Sequence, residues 1–348
     1  MAAFTAIDDA GAFFNIKLFT GDGVSQSFTD IGFDPDLVWD KARDAGEDWQ
    51  VTDSVRGATK GIRCNENYAQ DTIAESLTAF QTGGYTLGSS NYWNYSTKLM
   101  ANWCWKAGTT TGIDTTSTDI TPSAYSFNQD TGFSVIKYTG NGLENQKLAH
   151  GLGAVPGMAF FKNLDATESW YVYHKNMDAT APEDYYMVLN TATAKVNSNG
   201  AWYDTAPDSV NITLGNNAPV NGSGTPDYIA YFFTGKQGYS SFGTFTGNAN
   251  ADGPFIYTGF RPALIILKDT VAAQNWLLWD DKRLGYNPDN NPLLPSQASV
   301  AETNNEIDIL SNGFKMRSAT YNAANIQIYA AFAQSPFVNS NGVPTNAR

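Results

Sequence analysis

Apolar residues in this chain come in runs of about four to eight, rich in Val, Ile, Tyr, Phe and Trp and set between clusters of Gly, Asn, Asp and Pro. The 3.6-residue spacing of an amphipathic helix is nearly absent, so the pattern predicts a β protein with many short strands. One stretch reads otherwise. From Ala69 to Phe80, Asp71 is placed to cap a short helix carrying Ala74, Leu77 and Phe80 on one face.

The strands recur in a fixed order, three times. Phe19-Thr20-Gly21-Asp22-Gly23, Tyr138-Thr139-Gly140-Asn141-Gly142 and Phe245-Thr246-Gly247-Asn248-Ala249 each close an apolar strand with a turn, at which Gly21, Gly140 and Gly247 are expected to take a positive φ. A Gly-x-x-Pro step and an apolar run follow, GFDPDLVWDK, GAVPGMAFFK and GFRPALIILK, ending at Lys41, Lys162 and Lys268. From Pro35, Pro156 and Pro262 it is 14 residues to Trp49, Trp170 and Trp276. Each Trp opens a strand, a variable polar stretch follows, and each unit ends in an aromatic strand, LMANWCW, YIAYFFT or IYAAFAQ, where Ala101, Ala230 and Ala330 are expected in register. The prolines are 121 and then 106 residues apart, a domain-sized period at which each unit would bury its own core. The expectation is an all-β protein of three tandem β-sandwich repeats, jelly-roll or lectin-like, at 15–106, 133–237 and 238–338. A leader (1–14), a Thr/Ser/Gly linker (107–132) that would hinge or space the first repeat away from the others, and an irregular tail (339–348) complete it.

Composition narrows the function. Only 16% of the 348 residues are charged, so the surface must be built from neutral polar groups, and the net charge of -13 without a Lys/Arg cluster argues against nucleic acid as a partner. Cys64 and Cys104 read as small buried hydrophobes. The start MAAFTAIDDAGAFF lacks the basic then apolar pattern of a secretion signal, and no 18 apolar residues run together, so no membrane insertion is expected.

The strings TGNG, HGLGAVP, SWYVYH, VRGATK, the aromatic strand ending Trp103-Cys104-Trp105-Lys106-Ala107-Gly108, and AFAQSPF together resemble a repeated, uncharacterised β-rich domain of tailed-bacteriophage structural and tail-fibre-associated proteins, often of marine phages. The resemblance covers about Asn15 to Arg348. It implies localisation in a virion, other virion proteins as partners, and a host surface glycan or receptor as a further one. The chain departs from fibre-like relatives in having no long N-terminal shaft, which leaves room for a knob or capsid decoration.

Catalytic groups are sparse. His150 and His174 fall in one unit only and read as polar loop or strand-end residues, and the acids Asp204, Asp208, Asp280 and Asp281 are the material for a glycan hydrolase. Asn248-Ala249-Asn250-Ala251-Asp252-Gly253 imitates the start of a calcium loop but lacks the closing acid, since Gly259 stands at its twelfth position. Arg56 and the run Asp280-Asp281-Lys282-Arg283 read as solvated or paired charges. Neither a cofactor nor a metal is expected, and the chain reads as a non-enzyme. Trp49, Trp170 and Trp276 recur and so read as core, which leaves the unit-specific Trp93, Tyr95, Trp202 and Tyr203 as candidates for stacking on a glycan or contacting a neighbouring protein. The expected function is a tail-fibre or appendage-type adhesin, homo-oligomeric and non-covalent in its contact with the host. Capsid decoration is the alternative, and a capsular-glycan hydrolase trails both.

Overall fold

The computed structural model describes residues 4–283, 287, 291–303 and 306–345. It is all-β, with 40% strand and 5% helix in many antiparallel sheets. In the first segment Phe14–Thr20 pairs with Leu99–Trp105, that strand with Leu37–Ala42, and that one with Gln50–Asp53; Gln26–Phe28, Gly84–Leu87 and Leu77–Gln81 form a separate sheet. The order first, last, third, fourth returns in the second segment as Phe133–Thr139, Asp227–Phe233, Met158–Asn163 and Tyr171–His174. It returns again in the third as Ser240–Thr246, Ile326–Pro336, Phe260–Asp269 and Leu277–Asp280. The second strand leaves to a smaller sheet each time, Gln146–Ala149 on Asn211–Leu214, and Phe255–Tyr257 on Gly313–Met316.

Burial explains the apolar runs. All six residues of Leu37–Ala42 and all six of Met158–Asn163 are buried, because one face of each strand meets the smaller sheet of its own segment and the other meets the remaining two segments. One continuous core takes in Trp39, Trp105, Phe160, Phe233, Ile266 and Phe332 from all three. Sheet register makes these residues equivalent: Leu37 faces Trp105, Met158 faces Phe233 and Leu264 faces Phe332. The rings of Trp105, Phe233 and Phe332 close a triangle with centroids 6.3, 5.6 and 5.5 Å apart and planes at 64°, 74° and 71°, edge to face at every side.

This shared core corrects several expectations. The first segment is not spaced away, since Trp39 packs on Phe160 at 5.8 Å and Phe14 on Phe332 at 5.5 Å. The stretch 107–132 is tied down: Ala124–Asn128 extends the second segment's sheet, and Ala107 donates its N–H to Asp36. Within 69–80 no helix forms. Asp71–Thr72 and Leu77–Gln81 are strands, the latter turning back through Gly83 at φ 75° to pair with Gly84–Leu87, so Leu77 meets the core from a sheet. The alanines are out of register. Ala101 faces Lys41, while the residues facing Lys162 and Lys268 are Ile229 and Ile328.

Gly21, Gly140 and Gly247 have no positive φ and are needed for closeness instead. A Cβ on Gly21 would lie 2.1 Å from the Tyr95 carbonyl oxygen, and one on Gly247 1.9 Å from that of Ala323. The left-handed residue comes two positions later, at Gly23, Gly142 and Ala249. Three fully buried asparagines clamp these turns, a role that no sequence motif announced. Asn94, Asn221 and Asn322 accept from the N–H of Asp22, Asn141 and Asn248 and donate to the same residues' side-chain oxygens.

Because the three segments share one core, calorimetry is expected to show a single unfolding transition. Phe233→Ala should lower its stability by about 3–5 kcal/mol; three separate transitions in the wild type would contradict a common core.

Candidate functional site

The recurrent tryptophans build the junctions between segments. The backbone N–H of Trp49 and Trp170 donates to Asn65 and Asn190 side chains at 2.8 and 2.9 Å, which fixes each ring's approach. Trp49 Nε1 then donates to Leu294 O at 2.9 Å, Trp170 Nε1 to Arg63 O at 2.8 Å and Trp276 Nε1 to Val188 O at 2.9 Å. The acceptors Arg63 and Val188 each lie two residues before the clamping Asn, so these are the same contact, made from first segment to third, second to first and third to second. The ring closes on itself. All three tryptophans are buried, as expected of core residues.

A second ring runs four residues on, at Asp53, His174 and Asp280. Tyr231 donates its hydroxyl to Asp53 at 2.7 Å, Trp103 Nε1 donates to Asp280 at 3.1 Å, and His174 Nε2 meets Tyr329 O at 3.2 Å. Arg56 and Arg283 pair with the two acids at 2.5 and 2.6 Å and send a second N–H to Val51 O and Leu278 O. These charges are sealed between segments rather than solvated, so losing one partner strands a buried charge. Met177 stands in the Arg position of the second segment and is fully buried.

Both histidines sit at strand ends, His174 closing Tyr171–His174 and His150 directly following Gln146–Ala149, and both are buried. His174 Nδ1 accepts from Asn176 N–H and His150 Nδ1 from Leu152 N–H, so the proton sits on Nε2, where it donates to Tyr329 O and Asp208 O. Burial holds both rings neutral, pushing His150 down to about 4 and His174 to about 3. Lys41, Lys162 and Lys268 are also buried, and burial lowers each to about 8. Their ammonium groups donate to backbone carbonyls, Lys162 reaching Asn67 O in the first segment at 3.3 Å and Lys268 reaching Ala192 O in the second at 3.0 Å. A lysine ending an apolar run three times at one spacing was the signal for this role.

The candidate ligand residues separate. Trp93 is 1% exposed inside the first segment, and Trp202 is 0% exposed with Nε1 on Tyr185 O at 2.8 Å, so neither ring is available to a sugar or a partner. Each was placed in a polar loop by its neighbours, yet a short helix, Asn91–Asn94 or Asn199–Trp202, turns it inward. Tyr95 and Tyr203 remain half-buried. Among the acids, Asp204 and Asp208 are exposed while Asp280 and Asp281 are buried, so the four do not form one set. In 248–253 the oxygens of Asn248 and Asn250 accept the N–H of Asn250 and Asp252, and Asp252 pairs with Lys315, which makes the loop a self-satisfied turn. Cys64 and Cys104 are free and buried. No group of three or more His, Cys, Asp or Glu able to hold a metal occurs among the described residues, and no helix is long and apolar enough to cross a membrane.

Residues 9–336 match a family described as Domain of unknown function (DUF7483). The chain belongs to this family. The match begins just before the first strand and ends with the last, so the DUF7483 unit comprises all three segments and both rings rather than one segment. No curated protein and no solved structure matches the chain.

Trp170→Phe keeps an aromatic side chain but leaves Arg63 O without its donor, and should cost about 1–3 kcal/mol in chemical denaturation. For the histidines the folded values are depressed, so the unfolded chain binds more protons below about pH 6.5, and stability falls from there down toward the folded values near 4 and 3. A His150→Gln, His174→Gln double variant should therefore lose less of its melting temperature between about pH 7.5 and 5 than the wild type; equal losses would refute neutral burial.

Proposed function

We propose that the chain is a structural protein of a tailed phage particle, a tail-fibre or appendage-type adhesin that meets the host surface non-covalently. In this reading it is three tandem β-sandwich repeats, at 15–106, 133–237 and 238–338, closed about a pseudo-threefold axis. The observation that carries it is the indole-to-carbonyl ring, because one chain thereby supplies three equivalent faces to a threefold-symmetric partner on a virion. Val24 and Leu143, both 59% exposed at the same turn of two repeats, are apolar tips that such a partner can engage at related positions. A surface poor in charge suits contacts that depend little on salt.

A capsid decoration or knob is the second reading, and the burial of Trp93 and Trp202 favours it, since an adhesin loses its loop aromatics. Hydrolysis has the least support, because two of its four acids lie exposed and the other two are buried, Asp280 in an ion pair with Arg283. The test is antibody-gold labelling of intact particles. Label at the tail is expected for the adhesin, label over the head moves the chain to decoration, and particles without label overturn a virion role altogether.

A further inference from the structure

The first segment differs from the others in what lies between its two sheets. Asp40 faces Asn102 on one neighbouring strand and Gln50 on the other, and Thr52 lies two residues beyond Gln50 on the same face. Tyr85 comes from the opposing small sheet, close enough for Asp40, Asn102 and Cys104 to act on its hydroxyl. All five side chains are at most 1% exposed. Seven of their polar atoms make no protein hydrogen bond of ordinary geometry, although Asn102 lies near enough to Asp40 and Tyr85 for its amide to act on both: both Asp40 oxygens, Gln50 Nε2, Thr52 Oγ1, Tyr85 Oη and both Asn102 amide atoms.

The equivalent places elsewhere are filled differently. Asp40 corresponds to Phe161 and Leu267, Gln50 to Tyr171 and Leu277, Thr52 to Tyr173 and Trp279, and Asn102 to Ala230 and Tyr329. Polar residues at four equivalent positions of one segment form a site, since each buried polar atom left unsatisfied opposes folding.

We propose that this interior is a sealed hydration site in which ordered water bridges Asp40, Gln50, Thr52, Tyr85 and Asn102. The donor set selects water over a cation. Two amide NH2 groups stand among the acceptors, and water both donates and accepts, whereas a cation would face those N–H groups directly. Burial pushes the Asp40 carboxyl well above the carboxylate range, with the Asn102 amide and the Lys41 charge opposing only in part, and a neutral acid likewise donates and accepts. At about three hydrogen bonds per buried water, seven atoms call for about two molecules.

Oxygen-17 magnetic relaxation dispersion counts long-lived internal water. The Asp40→Leu, Gln50→Leu, Asn102→Ala triple variant, which installs residues of the other segments, should lose the signal of about two waters relative to wild type and melt no lower. A folded variant with an undiminished signal overturns the site. Should the variant not fold, a high-resolution crystal structure of the wild type soaked in thallium decides: water density within hydrogen-bonding distance of Asp40 and Asn102 supports the proposal. An anomalous peak there, or direct closure of the side chains on one another, refutes it.

Discussion

The meeting of Trp105, Phe233 and Phe332 is the contact on which the rest of the molecule depends. Three rings in mutual edge-to-face contact fix the distance between three sheets at once, and each ring sits on the last strand of its segment. That strand is central, paired on one side with the segment's first strand and on the other with its third. Holding the ring therefore holds the whole sheet. Everything outward follows: the tryptophan N–H groups find carbonyls of the neighbouring segment, and Lys162 and Lys268 turn their ammonium groups to backbone across two of the seams.

The junctions share a frame but not a chemistry. Two carry an Asp and Arg pair accepting a hydrogen bond from Tyr231 or Trp103, and the third carries His174 with Met177 against a backbone carbonyl. Removing water from a carboxylate is tolerable there because the guanidinium three residues on stays with it and sends its Nη2 to a backbone carbonyl, Val51 O or Leu278 O. The neutral imidazole avoids that desolvation altogether. The same tolerance for local difference lets the first segment keep an acid, two amides and a threonine where the others place aliphatic and aromatic side chains.

Much of this was legible in the sequence. Identical proline-to-tryptophan spacing marked the recurrent strands, and their two buried faces wrote themselves as unbroken apolar runs. The buried tryptophans were readable for the same reason, since a residue that recurs with the fold serves the fold. What could not be read was the relation between segments. A domain-sized period says that a unit is long enough to bury a core, and it does not say that units share one, so the Thr- and Ser-rich stretch before Ala124 looks like a spacer. Trp93 and Trp202 misled for a related reason: polar neighbours signal a loop, but a single helical turn inside a loop is enough to point an indole inward. The clamping asparagines Asn94, Asn221 and Asn322 lie in stretches full of Asn, where composition hides position.

Lys162 and Lys268 carry one more consequence. Each ends its side chain on a carbonyl of a different segment, at Asn67 and at Ala192. An amine in that position is closed to acylating reagents and to trypsin while the segments stay together. It becomes reactive only when they part. The chain thus contains its own reporters of separation, one at each of two seams, readable by the mass that a lysine gains.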